Sequence, residues 1–396
     1  MIKTADIVHL GESYQLKIAS GIGGIKDEWS QLSNKTIFAG VEYLELLEEY
    51  GPIGYKYYYA ILLKNEIPQT AFYFQKKRVE LSKDFRVHTH SNSFFDKMKV
   101  AFLKRFFKFV NHEILICGNV LLTGEFAYGP THLFEPNSQI FDTIFKSTVD
   151  FIQQIDKVKV QSILCKDYYK EGPHKILSFK ASGFYEFEVQ PTMIVNVNPE
   201  WKSLDDYLGA VKSKYRVKFK KVIKKSGGLE FKRMSINDAE KYNDAMYALY
   251  KRTADRATFS LFTLNEKYFY KLKETLKENL QLLGVFKEDQ ILGFFTFVKD
   301  NDHGDAHFLG YNVNENSKYQ LYFNMLLRLV EESISQGSSS LNLSRTALEI
   351  KSSVGAEPHA MYVYLKHLNP IINKLLPFIL DRVVPENNWE QRRPFK

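Results

Sequence analysis

Gly284-Val285-Phe286-Lys287-Glu288-Asp289-Gln290-Ile291, leading into Gly293-Phe294-Phe295-Thr296-Phe297, reads as two apolar strands joined by a short polar turn. The first half of the chain carries an echo, Ala60-Ile61-Leu62-Leu63-Lys64-Asn65-Glu66-Ile67 followed by Ala71-Phe72-Tyr73-Phe74. Setting Asn65-Glu66-Ile67 against Asp289-Gln290-Ile291 implies a unit roughly half the chain long that occurs twice.

Working outward from the second hairpin, Ser235 with Asp238 three residues on is a helix-start signal, and Tyr242, Met246, Leu249 and Tyr250 continue one apolar face. A second helix is expected from Asn265 through Tyr268, Phe269, Leu272 and Leu276, then strands over 281–287, 291–299 and 305–311. A helix over 318–336 turns Tyr322, Met325, Leu326 and Leu329 inward and stops at Gly337; strands near 339–343 and 360–366 follow. The first half predicts a helix near 41–50, the hairpin at 57–75, strands near 114–117 and 160–165, and a helix near 139–154. Pro191 and Pro199 flank a strand from Thr192 to Val197, which places the domain junction near 200. The expected division is 1–199, 200–369 and a tail, 370–396, with each domain a mixed α/β unit.

Composition agrees with two cores: 396 residues, 44% hydrophobic, are too many for one compact core. The 31 Phe and 24 Tyr point to aromatic pockets or an interfacial surface. A net charge of +8 favours anionic partners, whether cofactor phosphates, nucleic acid or acidic lipid. The start of the chain has no signal-peptide pattern and no run of 18 apolar residues occurs, so a cytoplasmic protein is expected, at most peripheral at the inner face of the membrane. Cys117 and Cys165 lie in apolar runs and are expected as buried thiols. His303 and His307 sit across a turn and a strand, so no metal site is expected.

From Lys212 to Lys225 the chain carries Lys212, Lys214, Arg216, Lys218, Lys220, Lys221, Lys224 and Lys225 and no acid. Tyr207, Val211, Tyr215, Phe219, Val222 and Ile223 recur at helical spacing, giving one buried and one cationic side. Such crowding repels at i,i+4, a cost more readily understood beside an anion such as a cofactor's phosphates. A merely solvated face is the alternative. Duplex DNA is set aside as a partner, since no helix-turn-helix, zinc spacing or RNA-recognition signature accompanies the helix.

Trp201 to Lys225, with Tyr207-Leu208 and Lys214-Tyr215-Arg216, resembles the entry to the second domain of the tandem-GNAT, FemAB-like N-acyltransferases. The helix around Met246 to Arg256, Ile291-Leu292-Gly293 and Gly310-Tyr311 follow in that family's order. The most specific piece is Ser344-Arg345-Thr346-Ala347-Leu348-Glu349-Ile350-Lys351-Ser352-Ser353-Val354-Gly355-Ala356-Glu357-Pro358, similar to the family's late arginine, lysine and glycine element. The resemblance covers about 200–367 well and 1–190 weakly, through hairpin order and the Ser182-Gly183-Phe184 turn. It implies an α/β fold of two GNAT-like domains in tandem, the first degenerate, each a mixed, mostly antiparallel sheet flanked by helices.

The activity so implied is acyl transfer to an amine, from acyl-CoA or an acyl carrier protein as co-substrate with no permanently bound cofactor, or from aminoacyl-tRNA in the peptidoglycan branch. The acceptor would be a small-molecule or lipid amine in amino-lipid or cell-envelope synthesis. A fold retained as a binding module without catalysis is the third reading. The Q/R-x-x-G-x-G/A phosphate loop of ordinary GNAT enzymes is missing, with Asn314-Glu315-Asn316-Ser317 in its place.

Acyl transfer needs an unprotonated amine, a positioned carbonyl and donors for the oxyanion. His307, Tyr311 and Glu349 are the candidates for moving protons, the first two because period two puts them on one strand face. Arg345 and Lys351 are candidates for binding an anion or carbonyl, with Lys214 and Arg216 from the basic helix and Gly355 permitting a tight bend. Two segments fit contact with an anionic membrane: a helix with Phe95, Met98, Phe102, Phe106 and Phe109 on one face, and 370–384, apolar but interrupted by Pro377.

Overall fold

The computed structural model describes residues 5–10, 13–32, 36–79, 112–129, 138–170, 179–256, 262–383 and 389–395. The expected helix carrying Phe95 to Phe109 lies outside the described residues. The chain opens with β1 (Ala5–Leu10), β2 (Tyr14–Ala19), α1 (Lys26–Ser30) and α2 (Val41–Tyr50), then β3 (Tyr55–Lys64) and β4 (Ile67–Val79). Next come β5 (His112–Cys117), β6 (Tyr128–Gly129), α3 (Ser138–Asp156), β7 (Val160–Tyr169) and β8 (Tyr185–Asn196). After α4 (Leu204–Ala210) and α5 (Ser213–Lys225) follow β9 (Glu230–Arg233), α6 (Ile236–Lys241), α7 (Asn243–Ala254), α8 (Tyr268–Leu276), β10 (Leu280–Lys287) and β11 (Gln290–Asp300). The chain continues through β12 (His303–Asp305), β13 (Leu309–Tyr311), α9 (Val313–Tyr319), α10 (Leu321–Ser335), β14 (Ser340–Asn342), α11 (Leu348–Ser353), β15 (Glu357–His367) and α12 (Pro370–Val383).

Two compact units result. The first holds Met1–Val189, Thr258–Thr263 and Ala360–Glu386; the second holds Gln190–Ala257, Leu264–His359 and Asn387–Lys396. This corrects the expected division at 199/200 and the tail at 370. The physical reason is strand pairing: Met361 to His367 of β15 pair with Tyr169 to Ser162 of β7, so the late strand completes the first unit's sheet.

In the first unit the strand order is β1-β2-β3-β4-β5-β7-β15, with β6 on β4, antiparallel except for the parallel pair β5 and β7. Helix α3 covers one face, and Phe141, Phe145 and Ile152 pack with Phe72, Phe74, Leu115 and Cys117. Cys117 and Cys165 are buried, paired across β5 and β7. In the second unit the order is β8-β14-β12-β11-β10-β9, with β13 on β11, and β12 and β14 are the parallel pair. Its core gathers Met193, Val195, Phe219, Phe295, Phe297, Met325, Leu329 and Leu341.

The repeated hairpin is real, but its register differs by one residue from the alignment drawn from sequence. Lys64 pairs with Ile67 across Asn65-Glu66, and Lys287 with Gln290 across Glu288-Asp289. Each second strand carries one extra residue beyond the turn, Gln69 and Leu292, after which Leu62 meets Thr70 and Val285 meets Gly293. Asn65 therefore corresponds to Glu288, not Asp289, and Gln75 to Val298. Both units then repeat one scheme: the hairpin's second strand pairs two short successors, and the first successor runs parallel to the strand after the covering helix.

Ser235 caps α6 in a reciprocal box with Asp238, as the spacing required. The helix does not run on to Tyr250; it breaks at Tyr242 and resumes as α7. Likewise the helix expected over 318–336 is two, α9 and α10, separated by Gln320 in the left-handed region (φ 51°). Gly337, with φ 61°, ends α10 where it was expected to.

Candidate active site

The parallel strands β12 and β14 pair only through His303–Ser340, Gly304–Leu341 and Asp305–Asn342. Beyond that point they separate. β13 pairs with β11, while Leu343 and Ser344 exchange backbone hydrogen bonds with Met193 of β8. Three residues, Ala306 to Phe308, stand opposite Thr296 and Phe297, and Thr296 Oγ1 ties the bulge by accepting from the Phe308 N–H at 2.7 Å. The continuous strand 305–311 of the sequence reading is therefore broken, and His307 and Tyr311 do not share a regular strand face.

At the parting point sits a polar cluster in which Asp305 and Thr192 are buried and Asn342 is half-buried. Asn342 Nδ2 donates to Asp305 Oδ2 at 3.1 Å, while its Oδ1 accepts from Thr192 Oγ1 at 2.7 Å and the Ser344 N–H at 2.9 Å. Burial pushes the Asp305 carboxyl up to about 7, against the Asn342 hydrogen bond. In the first unit the corresponding residues are Ile116 and Leu164, since Gln75 pairs with Ile116 as Val298 does with Asp305. The polar pair thus belongs to one copy of the duplicated scheme. The first unit fills its own parting with Lys166, whose Nζ donates to Asn119 O at 2.8 Å and Leu122 O at 2.7 Å and pairs with Asp167.

Past Asn342 the chain makes a tight loop in which Ser344 (φ 59°), Thr346 (φ 66°) and Ala347 (φ 48°) all take left-handed conformations. Non-glycine residues held there cost about 1–3 kcal/mol each, so the surroundings must hold the loop in place. Lys351 supplies part of that hold. Its buried ammonium donates to Arg345 O and, at 3.4 Å, to Ser344 O, and burial lowers its pKa to about 7. Lys351 thus supports the loop from behind, an assignment unlike the ligand contact expected from sequence. Arg345 lies within the loop, and burial lowers its pKa to about 10, which leaves it cationic at neutral pH.

The other expected residues are dispersed. His307 is buried, with Nε2 2.7 Å from Tyr268 Oη, and burial lowers its pKa to about 3. It is a neutral partner of a tyrosine at physiological pH. Tyr311 is half-buried on β13, its ring 5.8 Å from that of Tyr322, and burial raises its pKa while Arg256 opposes the shift. Glu349 is exposed on α11 and ion-paired with Arg392 at 2.5 Å. Arg216 is spent on the end of α4, donating to Leu208 O, Gly209 O and Val211 O at 2.8, 2.8 and 3.0 Å. Lys214 is exposed, its ammonium 5.1 Å from the Tyr215 ring. Gly355 has φ 88°, and a Cβ there would overlap the ring of Phe395. Its tight bend was expected; the packing of Phe395 was not.

Sequence reasoning missed Asp305, Asn342, Thr192 and Tyr322. An Asp within a short strand and an Asn before the late element were the available signals. Their meaning depends on a strand pairing that no local spacing displays.

The expected phosphate-loop position is occupied by α9, and Asn316 Oδ1 accepts from the Tyr322 N–H at 3.0 Å, capping the first turn of α10. Among the described residues, no group of His, Cys, Asp and Glu is arranged to hold a metal ion, and no helix is long and apolar enough to cross a membrane.

A FemAB-like family model, described as peptidoglycan biosynthesis/recognition, matches residues 135–317, from the start of α3 to α9. No curated protein sequence matches the chain. Among solved structures, FemX superposes with a TM-score of 0.52 at 12% identity, covering 94% of this chain and 99% of that one. A tandem GNAT protein from the clavulanic acid biosynthesis pathway gives 0.48 at 8% identity, covering 83% of this chain and 87% of that one. L-PGS from Bacillus licheniformis gives 0.43 at 11%, covering 85% and 95%. The fold is a mixed α/β architecture of the kind seen in FemX.

Proposed function

We propose that this chain, FemAB-like over residues 135–317 and GNAT-like in fold, is an N-acyltransferase whose reaction takes place in the second unit. The observation that carries the reading is the parting of β12 and β14 beside the strained Arg345 loop, with the buried Asp305 bonded to Asn342 at its root. Its counterpart in the first unit is apolar there and closed by Lys166.

In the proposed reaction an unprotonated amine attacks the acyl carbonyl, a C–N bond forms and the bond to the donor's sulfur or oxygen breaks. Arg345 binds the carbonyl oxygen and stabilises the developing negative charge; Lys351 holds the loop that aims it. Tyr311, whose raised pKa keeps the phenol protonated at neutral pH, gives its proton to the departing sulfur or oxygen and takes one back from the nitrogen, which sheds it as the amide forms. His307, neutral and bonded to Tyr268, positions the bulge rather than titrating during turnover.

An acyl thioester is the donor in this reading, with an amine of the amino-lipid or cell-envelope type as acceptor. One observation favours a second reading, an aminoacyl-tRNA donor: Asn316 already caps the helix start where a GNAT enzyme would receive pyrophosphate. Purified protein incubated with amine panels and either acyl thioesters or charged tRNA distinguishes them. Amide formation from thioester, unaffected by RNase, supports the first reading; formation only with charged tRNA, abolished by RNase, supports the second. Turnover of neither donor rejects both.

A further inference from the structure

Ten large apolar side chains among the described residues are more than a third exposed, and four of them fall on α12: Ile371 (74%), Ile372 (37%), Leu375 (52%) and Phe378 (61%). At 100° per residue Ile371, Leu375 and Phe378 fall within one narrow stripe, and Ile372 flanks it. The opposite side of the helix is fixed to the first unit. Leu376 is buried, Asn373 Nδ2 donates to Gly183 O at 2.9 Å, and Asn373 Oδ1 accepts from the His367 N–H at 2.8 Å. Asn369 Oδ1 caps the first turn, accepting from the N–H groups of Ile371 and Ile372 at 2.9 and 3.3 Å. The apolar stripe is therefore held outward by the helix's own anchoring.

Through the stripe itself the sequence carries charge of one sign. From Leu365 to Phe378 the sequence contains Lys366, His367 and Lys374 and no acid. Lys374 is exposed and borders the stripe, and Lys366 lies with its ammonium 5.4 Å from the Phe184 ring, beside the turn that Asn373 grips. An apolar ridge with Lys374 at its border is complementary to an anionic bilayer surface: the side chains enter the acyl boundary and the ammonium group meets lipid phosphates. From Ile371 to Phe378 the stripe is only about 12 Å long, which suits a helix lying in the interface, not one crossing it. A second copy fits less well, because a two-fold contact across the stripe brings each Lys374 toward its twin.

We infer that α12 is an interfacial docking helix that seats the first unit on anionic membrane, with Ile371 and Leu375 inserted and Lys374 at the headgroups. This inference stands apart from the reaction proposed for the second unit.

Vesicle flotation with the full chain tests it, using phosphatidylcholine vesicles with and without phosphatidylglycerol. Wild type is expected to float with the mixed vesicles and weakly with phosphatidylcholine alone. Ile371→Ser/Leu375→Ser should lower partitioning at least about tenfold. Lys374→Glu should lower it on mixed vesicles only. Circular dichroism and the unfolding midpoint should match wild type in both variants, since the replaced side chains are exposed. Failure of wild type to float, or equal flotation of the double variant, overturns the inference. So does a concentration-dependent dimer in wild type that the double variant abolishes, which would give the stripe to a second copy.

Discussion

His307 and Asp305 are two residues apart and pull stability in opposite directions with pH. Folding lowers the imidazole from its ordinary value of 6.5 to about 3. Between those values the unfolded chain binds a proton that the folded chain does not, so the contribution is full above pH 6.5 and lost as pH falls toward 3. The shift corresponds to roughly 3–5 kcal/mol as an upper figure. His307→Asn should flatten the acid limb of stability against pH, measured by denaturant unfolding at intervals from pH 3 to 7. For Asp305 the carboxyl moves the other way, from 3.8 to about 7, so its contribution is full below pH 4 and lost as pH rises to 7. Asp305→Asn, able to keep the hydrogen bond from Asn342, should raise stability at pH 8 and change it little at pH 4. An unchanged difference between the two pH values would contradict the burial of a carboxyl at the parting of the strands.

At the scale of elements, Gly355 couples the late arginine-lysine segment to the chain's final residues. Phe395 packs by Trp201 and Tyr207 and pairs with Val211, and Lys212 N–H donates to Pro394 O at 2.8 Å. Gly355→Ala should cost about 2–4 kcal/mol through both the left-handed backbone and the clash with the ring. Adding Phe395→Ala should recover part of that loss in a double-mutant cycle. What was legible in the sequence at this scale follows its local physics. The hairpins declared themselves through two-residue polar turns between apolar runs, α6 through the Ser235–Asp238 box, and the end of α10 through Gly337. The helix breaks at Tyr242 and Gln320 were not legible, because the apolar spacing runs through both. Arg216 looked like an anion binder for want of one fact, that α4 ends where three carbonyls converge on it. Lys351 was read as facing a ligand, whereas the αL loop before it needs its ammonium on two backbone carbonyls.

For the whole molecule, the duplication was visible in two hairpins, but the division into units was not. β15 follows the second unit in sequence and pairs with β7 of the first, a non-local choice that no spacing within either segment encodes. A chain ending at residue 359 should therefore leave the edge of β7 unpaired and remove Phe395 from the second unit's core. Its expression should give aggregated or protease-sensitive protein, and a soluble, cooperatively unfolding product would contradict the assignment.

Transfer in the second unit is tested most directly by following a radiolabelled acyl group from its donor, thioester or charged tRNA, to an amine, comparing wild type with Arg345→Ala and Lys166→Ala. Arg345→Ala is expected to fold and to lose at least about a hundredfold in rate, the scale of removing an oxyanion donor. Lys166→Ala, if folded, should keep the activity of wild type. Full activity in Arg345→Ala, or loss confined to a folded Lys166→Ala, would place the reaction outside the loop that follows β14.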